Sequence, residues 1–346
     1  MANRQVTKDV SDYVIAGAVM ANFYLDKQAR IIEAHDSDHT RVVVNKGGYL
    51  IPLNIGDYWF LIDTATDVDL DTDLDTGSKA AGTDYYVYAC TDGTTLSFKV
   101  SANSTNPSGF DASHSRKIGG FHTLCADVGT ISGHTLSGYL QKDILPASIW
   151  DLKHRARCGN NAGMVYDSKT GIWVDIYLAS GTGASTASVY GGTISDTRNW
   201  MDFVDDGASV GKRLLTDAEF QAIAARSNEE TNISGSADPV TTGGHSDTAG
   251  RRMVSNIGCE DCCGVVYQWL QDQSWQPDGT ASQFGWYDDA GNKGSLYITN
   301  NIGDVKLRAG GPWDAGSSCG SRCRIANSCR WDTASNVGAR FAAEPL

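Results

Sequence analysis

Leu307-Arg308-Ala309-Gly310-Gly311-Pro312-Trp313, followed after a run of small residues and arginines by Val337-Gly338-Ala339-Arg340-Phe341, is the stretch that decides how this 346-residue chain reads. Gly310, Gly311, Trp313, Arg322, Trp331, Gly338 and Arg340 look like a repeating frame. Between them stand Pro312, Asp314, Ala315, Ser318, Ile325, Asn327, Ser328, Cys329, Asp332, Ala334 and Asn336, which share no charge, size or polarity. A catalytic site requires particular groups and a core requires apolar ones. The segment satisfies neither description and predicts a rigid frame that displays side chains to a partner.

Outward from that tail, the composition is that of a globular protein, with 41% hydrophobic and 20% charged residues. The length predicts more than one domain. Gly 38 against Pro 7 predicts many tight turns and a β-rich, loop-rich chain. A net charge of -13 argues against general nucleic-acid binding, which needs a basic face. The sign reverses locally: beyond Asp304, Lys306, Arg308, Arg322, Arg324, Arg330 and Arg340 outnumber the acids. Nine cysteines cannot all pair within one chain, and their late clustering favours assembly in a reducing cytosol. Neither an apolar leader nor a stretch long enough to span a bilayer is present, so no membrane insertion is expected.

The first ~145 residues read as β by alternation and by β-branched or aromatic enrichment. Arg41–Val44, Tyr58–Ile62, Asp84–Ala89 and Leu96–Val100 are the clearest strands, with Asn45–Gly48 and Thr91–Thr94 as hairpin turns. After a linker with Pro146, Gly163–Tyr166 and Gly171–Leu178 open a second hairpin. Two helices are expected in the middle of the chain. Thr216-Asp217-Ala218-Glu219 is a capping box, and Leu215, Phe220, Ile223 and Ala224 give the helix an apolar face. A second helix is expected from Glu260 to Leu270, with Cys262, Val265, Val266 and Trp269 on one stripe. Short strands are expected at Ser295–Ile298, Val305–Arg308 and Ala339–Ala342. Helices set against a small antiparallel sheet make the C-terminal half an α+β domain.

Four segments in order, Arg213–Phe220, Cys263–Trp269, Leu307–Trp313 and Val337–Phe341, resemble the formylglycine-generating-enzyme branch of the C-type lectin fold. Their counterparts there read RLPTEAEW, GNVWEW, RGGSW and GFR. Within that branch, the tail from Gly310 onward looks like the variable region of a diversity-generating retroelement protein, of the kind that sets the tropism of a phage tail. In that family, template-directed mutation of adenines scatters Asn codons at display positions, while Trp, Gly and CGN Arg codons stay fixed. The resemblance therefore implies that Pro312, Asp314, Ala315, Ser318, Ile325, Ser328, Cys329, Asp332 and Ala334 are display positions. Asn327 and Asn336 would still carry the template residue.

The resemblance further implies a C-type-lectin-like α+β domain over 146–346, with the variable region at about 307–346. An all-β N-terminal region of β-prism or β-sandwich type would precede it, divided into an attachment and trimerisation part over 1–55 and a sandwich-like domain over 56–145. The expected function is a phage-tail receptor-binding protein. Its expected partners are a host surface receptor (protein or glycan), tail fibre or baseplate proteins and two further copies of itself. A virion location, no enzyme activity and no cofactor are the matching expectations. A retroelement-diversified bacterial surface protein is the alternative.

Other chemistries compete with this reading. The oxidases of the same branch bind copper(I) through two cysteines, and Cys319 and Cys323 sit near the equivalent place. Their spacing is one residue shorter, and Gly320 replaces the expected His. Cys259 and Cys262 with the same pair could form a four-thiolate zinc site, but buried cysteine more often serves as a small hydrophobe. A calcium loop starting at Asp71, in the acidic run Asp67–Asp75, lacks the Gly and Glu it needs. Gly207–Arg213 is one spacer short of a P-loop, and Arg213 stands where Ser or Thr would hold magnesium. His35 and His39 read as solvated loop residues. Trp150, Trp173, Trp269, Trp275 and Trp286 read mainly as core anchors rather than a sugar platform.

Overall fold

The computed structural model describes residues 4–5, 26, 29–276, 285–287, 291–298 and 303–346. It divides into two compact units, one of residues 1–124, 142–155 and 346, the other of 125–141 and 156–345. Of the part expected to serve attachment, residues 1–55, positions 1–3, 6–25 and 27–28 lie outside the described residues.

The first unit is built from strands β1 (Arg4–Gln5), β2 (Ile32–Ala34), β3 (Arg41–Val44), β4 (Ile51–Ile55), β5 (Tyr58–Ile62), β6 (Thr66–Asp69), β7 (Asp84–Thr91), β8 (Leu96–Ser101), β9 (Ser115–His122) and β10 (Trp150–Asp151). They form sheets ordered β1-β5-β4, β2-β3-β6 and β10-β9-β7-β8. Alternation explains these strands: β4 buries Ile51, Leu53 and Ile55 while Pro52 and Asn54 face outward. One apolar cluster runs through Ile32, Val42, Ile55, Phe60, Val87 and Phe121, so residues either side of 55 share a core. The expected boundary at 55/56 falls inside the β4–β5 hairpin.

The two expected hairpin turns differ. Thr91–Thr94 closes the β7–β8 hairpin, with Gly93 at φ +94. Asn45–Gly48 does not close a hairpin, because β3 pairs with β2 and β6 whereas β4 pairs with β5. Asn45 instead turns the chain from one sheet to the next, bonding Tyr49 through both its amide oxygen and its amide nitrogen. The acidic run is absorbed locally: Asp69 accepts from Arg41 at 3.0 Å and Asp71 from Lys79 at 2.8 Å.

The second unit contains β11 (Met164–Asp167), β12 (Ile172–Asp175), α1 (Trp200–Ser209), β13 (Arg213–Leu214), α2 (Asp217–Ile223), β14 (Tyr267–Gln276), β15 (Gly285–Tyr287), β16 (Leu296–Ile298), β17 (Gly303–Gly310), β18 (Gly320–Ser328), β19 (Val337–Gly338) and β20 (Phe341–Ala343). The sheets run β11-β12-β20-β13 and β15-β16-β18-β17-β14-β19. Phe203 of α1, Leu214, Trp269, Cys323, Ile325 and Phe341 share its core.

The helix at Thr216 is present with its full capping box. Thr216 Oγ1 accepts from the Glu219 amide, and Glu219 accepts from the Thr216 amide at 2.8 Å. The helix expected over Glu260–Leu270 is absent. Asp261 and Gly264 adopt positive φ (+58° and +75°), which breaks any helix, and Tyr267 onward is strand. Val265-Val266-Tyr267-Gln268-Trp269 is rich in the β-branched and aromatic residues that pack on a sheet. The second helix lies instead at α1, where Asn199 and Asp202 cap each other reciprocally. Gly207, a phosphate-loop candidate by sequence, sits inside that helix, and Lys212 is buried in an ion pair with Asp175 at 2.5 Å.

Candidate functional site

The C-terminal frame is built around a buried guanidinium. Arg340 is 0% exposed and donates to the carbonyls of Asp175 (2.7 Å), Ile176 and Glu260, and to Gln268 Oε1 at 3.2 Å. A planar fork with fixed donors suits backbone carbonyls from three directions. Gly310 and Gly311 both sit near φ +90°. A side chain on Gly310 would approach the Cys262 carbonyl oxygen to 2.4 Å, and one on Gly311 would meet Cys319 Sγ at 2.8 Å. The paired glycines thus let the chain pass close to the segment before β14, where the Gly264 amide donates to the Gly311 carbonyl at 3.0 Å. Asn232 donates to the Trp313 carbonyl. Arg324 holds β18 to α2 by bonding Asp217, its guanidinium 5.1 Å from the Phe220 ring centroid.

Beyond β18, residues 329–336 cross the unit as an irregular segment tied down through its main chain. The Arg330 carbonyl accepts from the Trp200 amide (3.0 Å), that of Ala334 from Thr197 (3.1 Å), and that of Asn336 from Tyr267 (2.9 Å). Side chains add to this anchoring: the Asp332 carboxylate accepts from the Cys329 amide at 2.8 Å, and Ala334 packs against the apolar cluster of the unit.

The residues expected to be displayed divide by burial. Asp314 is exposed, while Ala315, Ser318, Asn327, Cys329, Asp332, Ala334 and Asn336 are partly exposed. Pro312, Ile325 and Ser328 are buried. Ile325 is 6% exposed because it points into the apolar cluster with Trp269 and Phe203. The frame divides too. Gly310, Gly311, Gly338 and Arg340 are buried and Trp313 is partly so, packed on Val265 and Met253. Arg322 is exposed, and Trp331 is 65% exposed. Trp331 therefore does not pin the backbone by packing within this chain, contrary to its expected place in the frame; it is the largest apolar surface among the tail residues.

A β-bulge shapes the centre of the face. Lys306 pairs with Ser328 and Arg308 with Ile325, so Leu307 alone on β17 stands opposite both Ala326 and Asn327 on β18. The extra residue loosens the ladder there and re-aims Asn327. Its Oδ1 accepts from Arg308 Nη2 at 2.6 Å and from Ser328 Oγ at 3.0 Å. The bulge is not legible in the sequence, where Arg308 reads as part of a strand, of the Leu307–Trp313 motif and of the local basic cluster, without a role of its own.

The cysteines take no comparable arrangement. Among the described residues no three or more His, Cys, Asp or Glu side chains gather as metal ligands would. Burial pushes the Cys323 thiol up to about 12 and raises Cys319 as well, so neither is a ready thiolate. Cys323 packs in the apolar cluster, and Cys319 Sγ lies 3.3 Å from the Pro312 carbonyl. Trp150, Trp173 and Trp269 are buried anchors, whereas Trp286 is 45% exposed against Tyr297; the Trp275 side chain lies outside the described residues. His35 caps the Ser37 and Asp38 amides in a partly exposed turn.

Residues 33–151 match the family model described as the Mtd second domain, a match that runs continuously through position 55. A tail fibre receptor-binding protein of Bordetella phage BPP-1 is 27% identical over 278 residues, which cover 74% of this chain and 69% of that protein. The solved Major Tropism Determinant I1 and U1 variants superpose with TM-scores of 0.72 and 0.71 at 25% identity, covering 93% of this chain and 85% of theirs. In fold, and in sequence over residues 33–151, the chain resembles the major tropism determinants. Its C-type-lectin-like fold, mostly sheet with few helices, follows from the same match. In the tail, Gly310, Gly311, Gly338 and Arg340 are buried, and partly exposed positions stand between them.

Proposed function

We propose that this chain is the tropism-determining, receptor-binding protein of a phage tail, and that its last forty or so residues form a diversified face turned to a molecule on the host surface. The observation that carries this reading is the segment 329–336, where main-chain hydrogen bonds hold the backbone while side chains at Trp331 and Asn336 reach the surface. Such a segment tolerates replacement, since exposed substitutions usually change stability little. The Bordetella phage relative, a tail fibre receptor-binding protein, supports the same reading.

In this proposal Asp314, Ala315, Ser318, Asn327, Cys329, Asp332, Ala334 and Asn336 contact the receptor, with Trp331 beside them. Pro312, Ile325 and Ser328 vary from beneath and change the shape of the face. The β-rich first unit, of β-prism or β-sandwich type, joins the protein to tail fibre or baseplate proteins. Three copies place several faces on one virion, and linked weak contacts then add up without any new ones. No catalysis and no cofactor belong to this function.

The test is binding of the purified chain to a panel of bacterial strains by flow cytometry, with Asp314, Ala315, Ala334 and Asn336 scrambled together. The scrambled chain should change the strains it binds while keeping its melting temperature. An unchanged binding pattern would overturn the reading.

A further inference from the structure

Arg308 lies in the centre of the β18-β17-β14 sheet, opposite Ile325 on one side and Trp269 on the other. Its guanidinium is 5.2 Å from the ring centroids of both Tyr267 and Trp269, and the residue is 7% exposed. With aromatic rings beside it, the fork keeps its edge for hydrogen bonds. Nη2 spends that edge on Asn327 Oδ1, whereas Nε is buried with no acceptor. Among the described residues Arg308 forms no ion pair, and Asp332 acts on it only through a longer-range attraction. A buried charge so poorly matched is unfavourable, and burial pushes this guanidinium down to about 10. Among the described residues its one side-chain hydrogen-bond partner is the neutral amide of Asn327, re-aimed by the bulge and already shared with Ser328.

We propose that Arg308 is a fixed carboxylate-binding point under the display face, and that the residue at 327 gates it. The inference rests on the tail being the receptor-binding face. A carboxylate meets a guanidinium edge in plane through two parallel hydrogen bonds, stronger than those of a neutral amide. The partner that fits is an acidic side chain of a protein receptor. A sugar would want a free aromatic face to stack on, and those of Tyr267 and Trp269 are buried and turned to the guanidinium.

Asn at 327 leaves the guanidinium half-satisfied and open to competition from a carboxylate. Asp at 327 would neutralise it from within, and a short residue such as Ala would release it. One variable position thereby decides whether the face offers a positive charge.

The experiment uses the full chain and a Gly/Ser nonapeptide with one central Asp, beside its Asn counterpart and glucuronate. Binding is followed by the Arg308 Nε–Hε resonance and by calorimetry. The Asp peptide should bind at least tenfold more tightly than the Asn peptide. N327D should abolish that preference and raise the melting temperature, whereas N327A should strengthen Asp-peptide binding at least threefold. R308M should lose the preference; if it fails to fold, the two variants at 327 decide alone. Equal binding of the Asp and Asn peptides, or an N327D chain that behaves as the parent, would overturn the proposal. Tighter binding of glucuronate than of the Asp peptide would overturn its protein-ligand assignment. A chain whose strain preference responds to scrambled display residues, but which shows no Asp-peptide preference, would sink this inference and leave the receptor-binding reading standing.

Discussion

Arg340 Nη1 donates to the Asp175 carbonyl at 2.7 Å, joining residues 165 apart in sequence. The bond links the tail to the strand β12 through a side chain that water does not reach. Removing it leaves three carbonyls and a glutamine without their donor, each such loss amounting to about 1–3 kcal/mol. Arg340→Ala should therefore destabilise the second unit by at least about 3 kcal/mol in urea melts. Arg340→Lys should rescue only part, because an ammonium cannot reproduce the fork.

The paired glycines make a second expectation. Gly310→Ala forces a Cβ to within 2.4 Å of the Cys262 carbonyl oxygen in a backbone at φ +89. A loss of roughly 2 kcal/mol or more is expected in thermal or chemical unfolding, since strained positions of this kind cost about 1–3 kcal/mol before the clash is added.

The tail should split into two energetic classes that its sequence does not distinguish. Trp331→Ala and Asp314→Ala should each change unfolding free energy by less than about 0.5 kcal/mol, being surface changes. Ile325→Ala should lose about 2–5 kcal/mol, as a large-to-small change in a core. Equal effects at all three positions would contradict the burial described above.

His245 offers a pH dependence. Burial pushes its imidazole down, but the fully buried Asp261 carboxylate at 3.0 Å outweighs this and holds it above its ordinary value. A group raised in the folded state gives stability that is fully present below the unfolded value of about 6.5, and that is lost as pH rises through the folded value. The melting temperature of the second unit should fall on that rise, and His245→Gln should flatten the slope. A parent chain with no slope in this window would refute the coupling.

Much of the fold is legible in the amino-acid sequence. The β strands of the first unit follow from alternation, the Thr216 helix from its capping box, and the buried arginine of the tail from its Gly-x-Arg setting. The departures share a physical origin. Cys262, Val265, Val266 and Trp269 also sit at helical spacing, and only the positive φ at Asp261 and Gly264 decides for a strand. The cap of α1 uses Asp202 where the usual capping box has Glu or Gln. Trp331 reads as an anchor because tryptophan usually is one, whereas its exposure follows from the path of 329–336. The bulge at Asn327 and the stacked Arg308 depend on strand register, which no short motif encodes.

That bulge has a consequence for heredity. At the bulge the cross-strand pairing is already interrupted, so an exchange at 327 disturbs no regular pair of the ladder. In the proposed role, descendants that differ at 327 would differ in what they grip and little in how firmly their sheet is held.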